Sequence, residues 1–298
     1  MLKPYDLLEN ILLDIENGIK NNINASVLSK KYDFSEVHLR RLFSFAFKQT
    51  IAAYIRSRKL AASLNDILKK NGNIHDIAAE YGFKYEQSYI RTFKREFGIT
   101  PGDLRKTGKI LKIRPPLHLF NENKLGDNVF FGPDIVVIPR FHIIGKRHLI
   151  PFGVSTDMAP RVGKRFWENE RKRIKDAVNP DVYIGLTRNI NLKKKHSEYI
   201  PSVQVENLKN IPHGFVGDTF ETSMCARFRY IGRHHYYDIN KNTASMMYDA
   251  IRNYTQNKYV KYILLNDKIH FEMIDTRLYD GVYCQMEWYT PVSEKRRK

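Results

Sequence analysis

Residues 32–43 read YDFSEVHLRRLF, and residues 81–93 read YGFKYEQSYIRTF, a near-copy with one residue added. In the first copy Leu39, Leu42 and Phe43 stand at i, i+3 and i+4, the spacing of a buried helical stripe. His38, Arg40 and Arg41 fall between them and are expected to face outward. In the second copy Tyr89 and Phe93 carry the stripe, leaving Gln87, Ser88, Arg91 and Lys94 outward. A short helix and a tight turn precede each copy. Asn24 can cap residues 25–31 before the YDF turn, Ser35 can cap the helix from Glu36 to about Phe47, and Ile74, Ile77 and Ala78 precede the turn at Gly82. Helix, tight turn, helix is the plan of a helix-turn-helix, whose second helix enters the DNA major groove. Arg pairs in bidentate fashion with guanine and Gln with adenine, so the outward residues suit base reading. A single basic helix is more often a solvated face; its repetition in the same local setting favours DNA.

The separation of the copies has a geometric meaning. Residues 50–70 keep an unbroken helical pattern, with Tyr54, Ala61, Leu64 and Leu68 on one face. About 20 residues at ~1.5 Å each make a rod of ~30 Å. One turn of B-DNA is ~34 Å, so such a rod would set two recognition helices into successive major grooves of one duplex. A monomer on DNA would then suffice.

The segments IAAYIRSRKLAASLNDIL and IHDIAAEYGFKYEQSYIRTFKREFGITPGDLRK, with the earlier HLRRLF, resemble the DNA-binding domain of the AraC/XylS family of bacterial transcription regulators. The resemblance covers about residues 4–107 and implies an all-α double helix-turn-helix. It implies base-facing roles for Val37, Arg40 and Arg41 on the first recognition helix, and for Glu86, Gln87, Ser88 and Arg91 on the second. Close relatives carry Trp where Val37 stands here. Double-stranded DNA and RNA polymerase are the partners it implies.

Composition bounds the remaining classes. The chain has 298 residues, 42% of them hydrophobic, enough for two domains with proper cores. Its net charge of +18 points to a polyanionic partner. Residues 1–108 carry 18 Lys and Arg against 12 Asp and Glu, a net of +6, which leaves +12 for the rest. Charge alone therefore does not place the DNA site. No apolar run approaches the ~20 residues of a membrane span, and the acidic residues in the first 18 positions speak for a helix rather than a signal peptide. Cys225 and Cys284 lie far apart without CxxC spacing, which suits a cytoplasmic protein and no thiolate metal site. His234 and His235 would point to opposite faces of a strand, so no metal is expected there. P-loop, GxSxG and HExxH motifs are missing, so no catalytic residues and no cofactor are assigned.

Residues 109–132, with Pro115-Pro116 and no clear period, read as a linker. From 133 to 292 strand-like and helical segments follow in the order strand, helix, strand, strand, twice over. That order predicts an internally duplicated α+β domain. The loop NLKKKH, residues 191–196, reads as a hairpin turn with solvated lysines, and residues 293–298 as a basic tail. FEMIDTR and MEWYTPV near the end, with IPHGFV and CARFRYIGRHHYYDINKNTASMMYDAI before them, resemble the GyrI-like effector-binding domain. That resemblance implies a small-molecule effector, amphipathic or cationic and aromatic, bound through a strand glutamate. Glu287 and Glu272 both sit on strands among apolar neighbours. A carboxylate turned into an aromatic cavity is costly unless it meets a cation or a donor, so either would mark a site. Glu287 is the leading choice; otherwise it faces water or pairs with Arg227 or Arg229. Trp167, Tyr183, Phe228 and Tyr289 are candidate walls, though strand aromatics more often serve a core. Two other classes stay open for this domain: a small-molecule hydrolase with a buried Glu as general base, and a protein-binding module.

Overall fold

A computed structural model describes residues 2–69, 72–109, 111–119, 123–151, 158–191, 193–236, 238–239, 241–256, 262–264 and 269–294. The chain divides into a helical unit over residues 4–120 and a sheet-rich unit over 121–298.

The helical unit holds α1 (Pro4–Asn17), α2 (Ala25–Lys31), α3 (Glu36–Phe47), α4 (Ile51–Leu68), α5 (Ile74–Glu80), α6 (Glu86–Phe97) and α7 (Pro101–Thr107). The starts follow local chemistry. Side chains of Asn24, Ser35, Thr50, Asn73 and Thr100 each accept a backbone N–H in the first turn of the next helix. Gly98 ends α6 in the left-handed conformation that a glycine adopts without strain. Leu60, Leu64 and Ile67 of α4 pack with Ile77, Ala78, Tyr81, Tyr89 and Phe93 of the second repeat. The buried face of α4 thus differs from the one expected: Ile67 is buried and Leu68 is 48% exposed. The helix phase is set by Ile51, Tyr54 and Ile55 at its start, which places 67 rather than 68 inward.

The stretch read as a linker is held at residues 114, 117 and 119 and joins the sheet before its expected end. Leu117 N–H donates to the Tyr54 hydroxyl, Arg58 donates to the Arg114 carbonyl, and the Tyr5 hydroxyl donates to the Leu119 carbonyl. Strand β2 begins at Asn128, inside the expected linker, because Val129, Phe130 and Phe131 supply buried side chains to the sheet. Proline content hid both facts, since these anchoring bonds are tertiary.

In the sheet-rich unit the strands are β1 (Lys124–Leu125), β2 (Asn128–Ile138), β3 (Phe141–Gly145), β4 (His148–Pro151), β5 (Val182–Asn191), β6 (His196–Val205), β7 (Val216–Phe220), β8 (Ser223–Gly232), β9 (Tyr262–Leu264), β10 (Ile269–Asp275) and β11 (Cys284–Glu294). Helix α8 (Met158–Arg165) continues into a wider turn over Phe166–Glu170, and α9 (Lys241–Gln256) lies between β8 and β9. The main path of the sheet runs β1-β2-β8-β11-β10-β5-β6-β3-β7, with antiparallel neighbours throughout. One face packs Trp167, Phe166, Met247 and Ile251 from the helical segments against Tyr183, Phe228, Met286 and Trp288. The other face gathers Ile143, Ile184, Leu186, Phe220, Phe271 and Tyr289. Lys193, Lys194 and Lys195 are exposed in the β5–β6 turn, as expected of that loop. Residues 295–298 of the basic tail lie outside the described residues, while 293 and 294 still belong to β11.

Candidate nucleic-acid interface and effector site

In α3 the stripe of Leu39, Leu42, Phe43 and Ala46 is buried. Val37, at 58% exposure, Arg40 and Arg41 lie on the outer side. Arg40 is held by Glu36 one turn earlier. His38 departs from the expected set: it is buried and stacks on Phe34 with ring centroids 5.2 Å apart. The reason is helical phase, since residue 38 stands i−4 to Leu42 and widens the stripe by one position. In α6, Tyr89 and Phe93 are fully buried, and the Tyr89 hydroxyl meets Ser63 Oγ at 2.7 Å. Gln87, Arg91 and Lys94 are exposed, while Glu86 and Ser88 are half-buried. Tyr85, which the pattern did not single out, stands 63% exposed at the start of α6 and makes no side-chain cap. A non-capping residue at a helix start was the available signal.

The second candidate site lies on the helix-covered face of the sheet. Cross-strand register joins Glu272 to Trp288 on β11 and to Gly185 on β5, so the three share a face, with Tyr183 two residues from Gly185. The Tyr199 hydroxyl donates to Glu272 Oε1 at 2.6 Å, and the Tyr183 hydroxyl lies 2.5 Å from that of Tyr199. Trp167 packs edge-on to Tyr183. Beyond Trp288 lies buried His270, stacked on the indole at 4.7 Å and joined through Nε2 to the Tyr248 hydroxyl at 2.6 Å. Two glycines make room: a Cβ at Gly185 would fall 2.0 Å from Glu272 Oε1, and one at Gly163 would fall 2.8 Å from the Tyr183 hydroxyl oxygen. Among the described residues no cation pairs with Glu272. Burial pushes its carboxyl up to about 7, against the lowering effect of the Tyr199 hydrogen bond. Burial likewise pushes His270 down to about 3, so it is neutral at pH 7.

Glu287 corrects the leading expectation. Its neighbours across the sheet are Arg229 and Met273, on the face opposite Trp288. Arg227 Nη1 donates to its Oε1 at 3.3 Å and the Tyr289 hydroxyl to its Oε2 at 2.6 Å. Arg227 also reaches Asp134, so the carboxylate belongs to a compensated charge network. Tyr289 stacks on Phe271 and leaves the candidate walls with it. Phe228 shares the Trp288 face but is packed flat against Phe130. Tyr183 is linked to Glu272 through the Tyr199 hydroxyl, with Trp167 packed behind it; Tyr199, Tyr248, His270 and Gly185 were missed. A glycine inside the strand DVYIGLT was the legible clue, since it marks a close approach.

Two tight-turn helix pairs, each presenting a cationic second helix, define a DNA-reading module. The helix-turn-helix domain family matches residues 28–107. Regulatory protein SoxS of Salmonella typhimurium is 32% identical over 104 residues, 35% of this chain and 97% of SoxS. Transcriptional regulator Rob of the same organism is 31% identical over 115 residues, 38% of this chain but only 40% of Rob. Among solved structures, SAV2435 bound to tetraphenylphosphonium aligns with 55% of this chain and 94% of its own, at 14% identity and a TM-score of 0.38. The chain belongs to the AraC/XylS family of DNA-binding helix-turn-helix transcription regulators.

Proposed function

We propose that this regulator reads DNA with α3 and α6 and senses a small molecule at Glu272. Val37, Arg40, Arg41, Glu86, Gln87, Ser88, Arg91 and Lys94 would face the duplex, with Tyr85 added at the start of α6. A monomer would occupy two successive major grooves, act with RNA polymerase, and work in the cytoplasm.

One observation carries the sensing half: a partly buried carboxylate with aromatic neighbours, one tyrosine donor and no cationic partner among the described residues. An amphipathic aromatic cation would supply the missing charge and stack on the rings. The strand order supports a duplicated domain. In it β3, β5 and β6 form one set around α8, and β8, β10 and β11 form its counterpart around α9, meeting at the β10–β5 pair. Calorimetric titration of a cationic dye tests the site. Glu272→Gln should weaken binding at least tenfold, in line with ~1.5–3 kcal/mol for a hydrogen bond to a charged group. Glu287→Gln should leave binding nearly unchanged. Equal affinity in wild type and Glu272→Gln would remove the assignment. The upward shift of Glu272 also suits a general base, so a hydrolase is the second reading; loss of an electrophilic ester over time in the presence of wild type, but not of Glu272→Gln, would favour it.

A further inference from the structure

Lys59 lies on the buried face of α4, between Ile55 and Leu60, and is 9% exposed. It has no hydrogen bond or ion pair among the described residues, and burial lowers its ammonium from the ordinary lysine value. Its Nζ points at the turn of the second repeat, where a Cβ added to Gly82 would stand 2.9 Å from it. The side chain is buried while its ammonium opens to the cleft partly desolvated and with no carboxylate opposite it, a costly arrangement that a methionine filling the same space would avoid. Lys59 lines a cleft of ≈ 410 Å³ bounded also by Arg40 and Arg56, with Glu36 as its one acidic residue. Arg56 is exposed, and Glu36 holds Arg40 at the rim. Three cations against one carboxylate leave the cleft short of negative charge.

From this geometry we infer that the cleft is a phosphate-binding site, with Lys59 as its floor and Arg56 and Arg40 as its rim. A phosphate there would pair with the stranded ammonium in a partly desolvated setting, where charge-assisted hydrogen bonds are strongest. Two sources share this chemistry: a backbone phosphate of the duplex, and free phosphate. Arg40 belongs to the helix read as entering the groove, so the mouth of the cleft borders the DNA-facing side and favours the backbone. The duplex arm of the test rests on the DNA-binding reading; the free-phosphate arm does not.

The experiment uses the full chain as wild type, Lys59→Met, Lys59→Arg and Arg56→Ala. Duplex affinity is measured against salt concentration on operator and random DNA, and thermal midpoints in phosphate and chloride at equal ionic strength. If the duplex supplies the phosphate, Lys59→Met stays folded and loses about 0.9 of the log–log salt slope on both DNAs, one phosphate's worth. Lys59→Arg keeps the slope, and Arg56→Ala lowers it without touching the core. If free phosphate is the ligand, phosphate raises the wild-type midpoint but not that of Lys59→Met, while the DNA slopes agree. Should Lys59→Met not fold, Arg56→Ala carries both readouts. Slopes and phosphate response unchanged in every folded variant would overturn the site and leave Lys59 as a charge at the C-terminal end of α5. Wild type that binds no DNA would instead count against the DNA-binding reading.

Discussion

Glu272 and Glu287 carry the same side chain on adjacent strands, yet their chemistry differs because their faces differ. Glu287 meets Arg227 and the Tyr289 hydroxyl, whereas Glu272 meets one tyrosine and is pushed up to about 7 by burial. The sign of the resulting pH dependence follows. Below about pH 4.5 the group is protonated in both folded and unfolded chains and contributes nothing. Between there and pH 7 the folded chain holds a proton the unfolded one has lost, so stability falls as pH rises, and above 7 the loss is complete. Glu272→Gln should therefore gain stability relative to wild type across that window, reaching roughly 3 kcal/mol. Urea unfolding of both proteins at pH 5 and pH 8 checks this, and an equal difference at the two pH values would refute it. The same ionisation predicts that a cationic dye binds wild type more tightly as pH rises to about 7 and then levels off, while Glu272→Gln stays flat. Gly185→Ala should destabilise the fold by about 1–3 kcal/mol, since its Cβ would occupy the position of Glu272 Oε1. Thermal unfolding reads that loss.

At the scale of the element, the two recognition helices show how far periodicity reaches. Positions 39, 42, 43, 89 and 93 are buried as their spacing requires, because a helix fixes its faces every 3.6 residues. His38 lay at the boundary of the stripe, where one residue turns by 100° and the ring of Phe34 decides the outcome. Leu68 was misjudged for the same reason at the end of α4. If α6 reads bases, Arg91→Ala should cost about 1–3 kcal/mol on operator DNA and relax preference at one position. Lys94→Ala should weaken operator and random duplexes alike, as loss of a phosphate contact does. Binding isotherms on both DNAs separate the two, and an equal loss on both for Arg91→Ala would withdraw its base-reading role. Strands were less legible than helices. Alternation showed that Glu287 and Trp288 face opposite ways, but not which face the helices cover.

For the whole molecule, the charge of +18 and the two repeats on one chain make a combined prediction. One chain should protect an asymmetric site of about two helical turns, with affinity falling linearly on a log–log plot against salt. Footprinting and sedimentation of the complex test it; a palindromic site occupied solely by two chains would contradict the monomer reading. Net charge could not locate the interface, because residues 1–108 carry only +6 of it and residues 109–298 the other +12.

Local chemistry fixed most of the helical unit. Capping side chains at positions 24, 35, 73 and 100, a glycine at 98 and two apolar stripes leave little freedom over where its helices begin, end and turn their faces. Those signals act within a few residues, so they are written in the chain itself. The candidate effector site depends on contacts from afar. Tyr199 lies 73 residues from Glu272, and Gly185 meets that carboxylate only through the pairing of β5 with β10. Which of the two glutamates meets an arginine was decided by where Arg227 and Asp134 came to lie across the sheet. A strand records that its neighbours alternate, but the identity of the group opposite belongs to the pairing of the sheet, which exists only in the folded molecule.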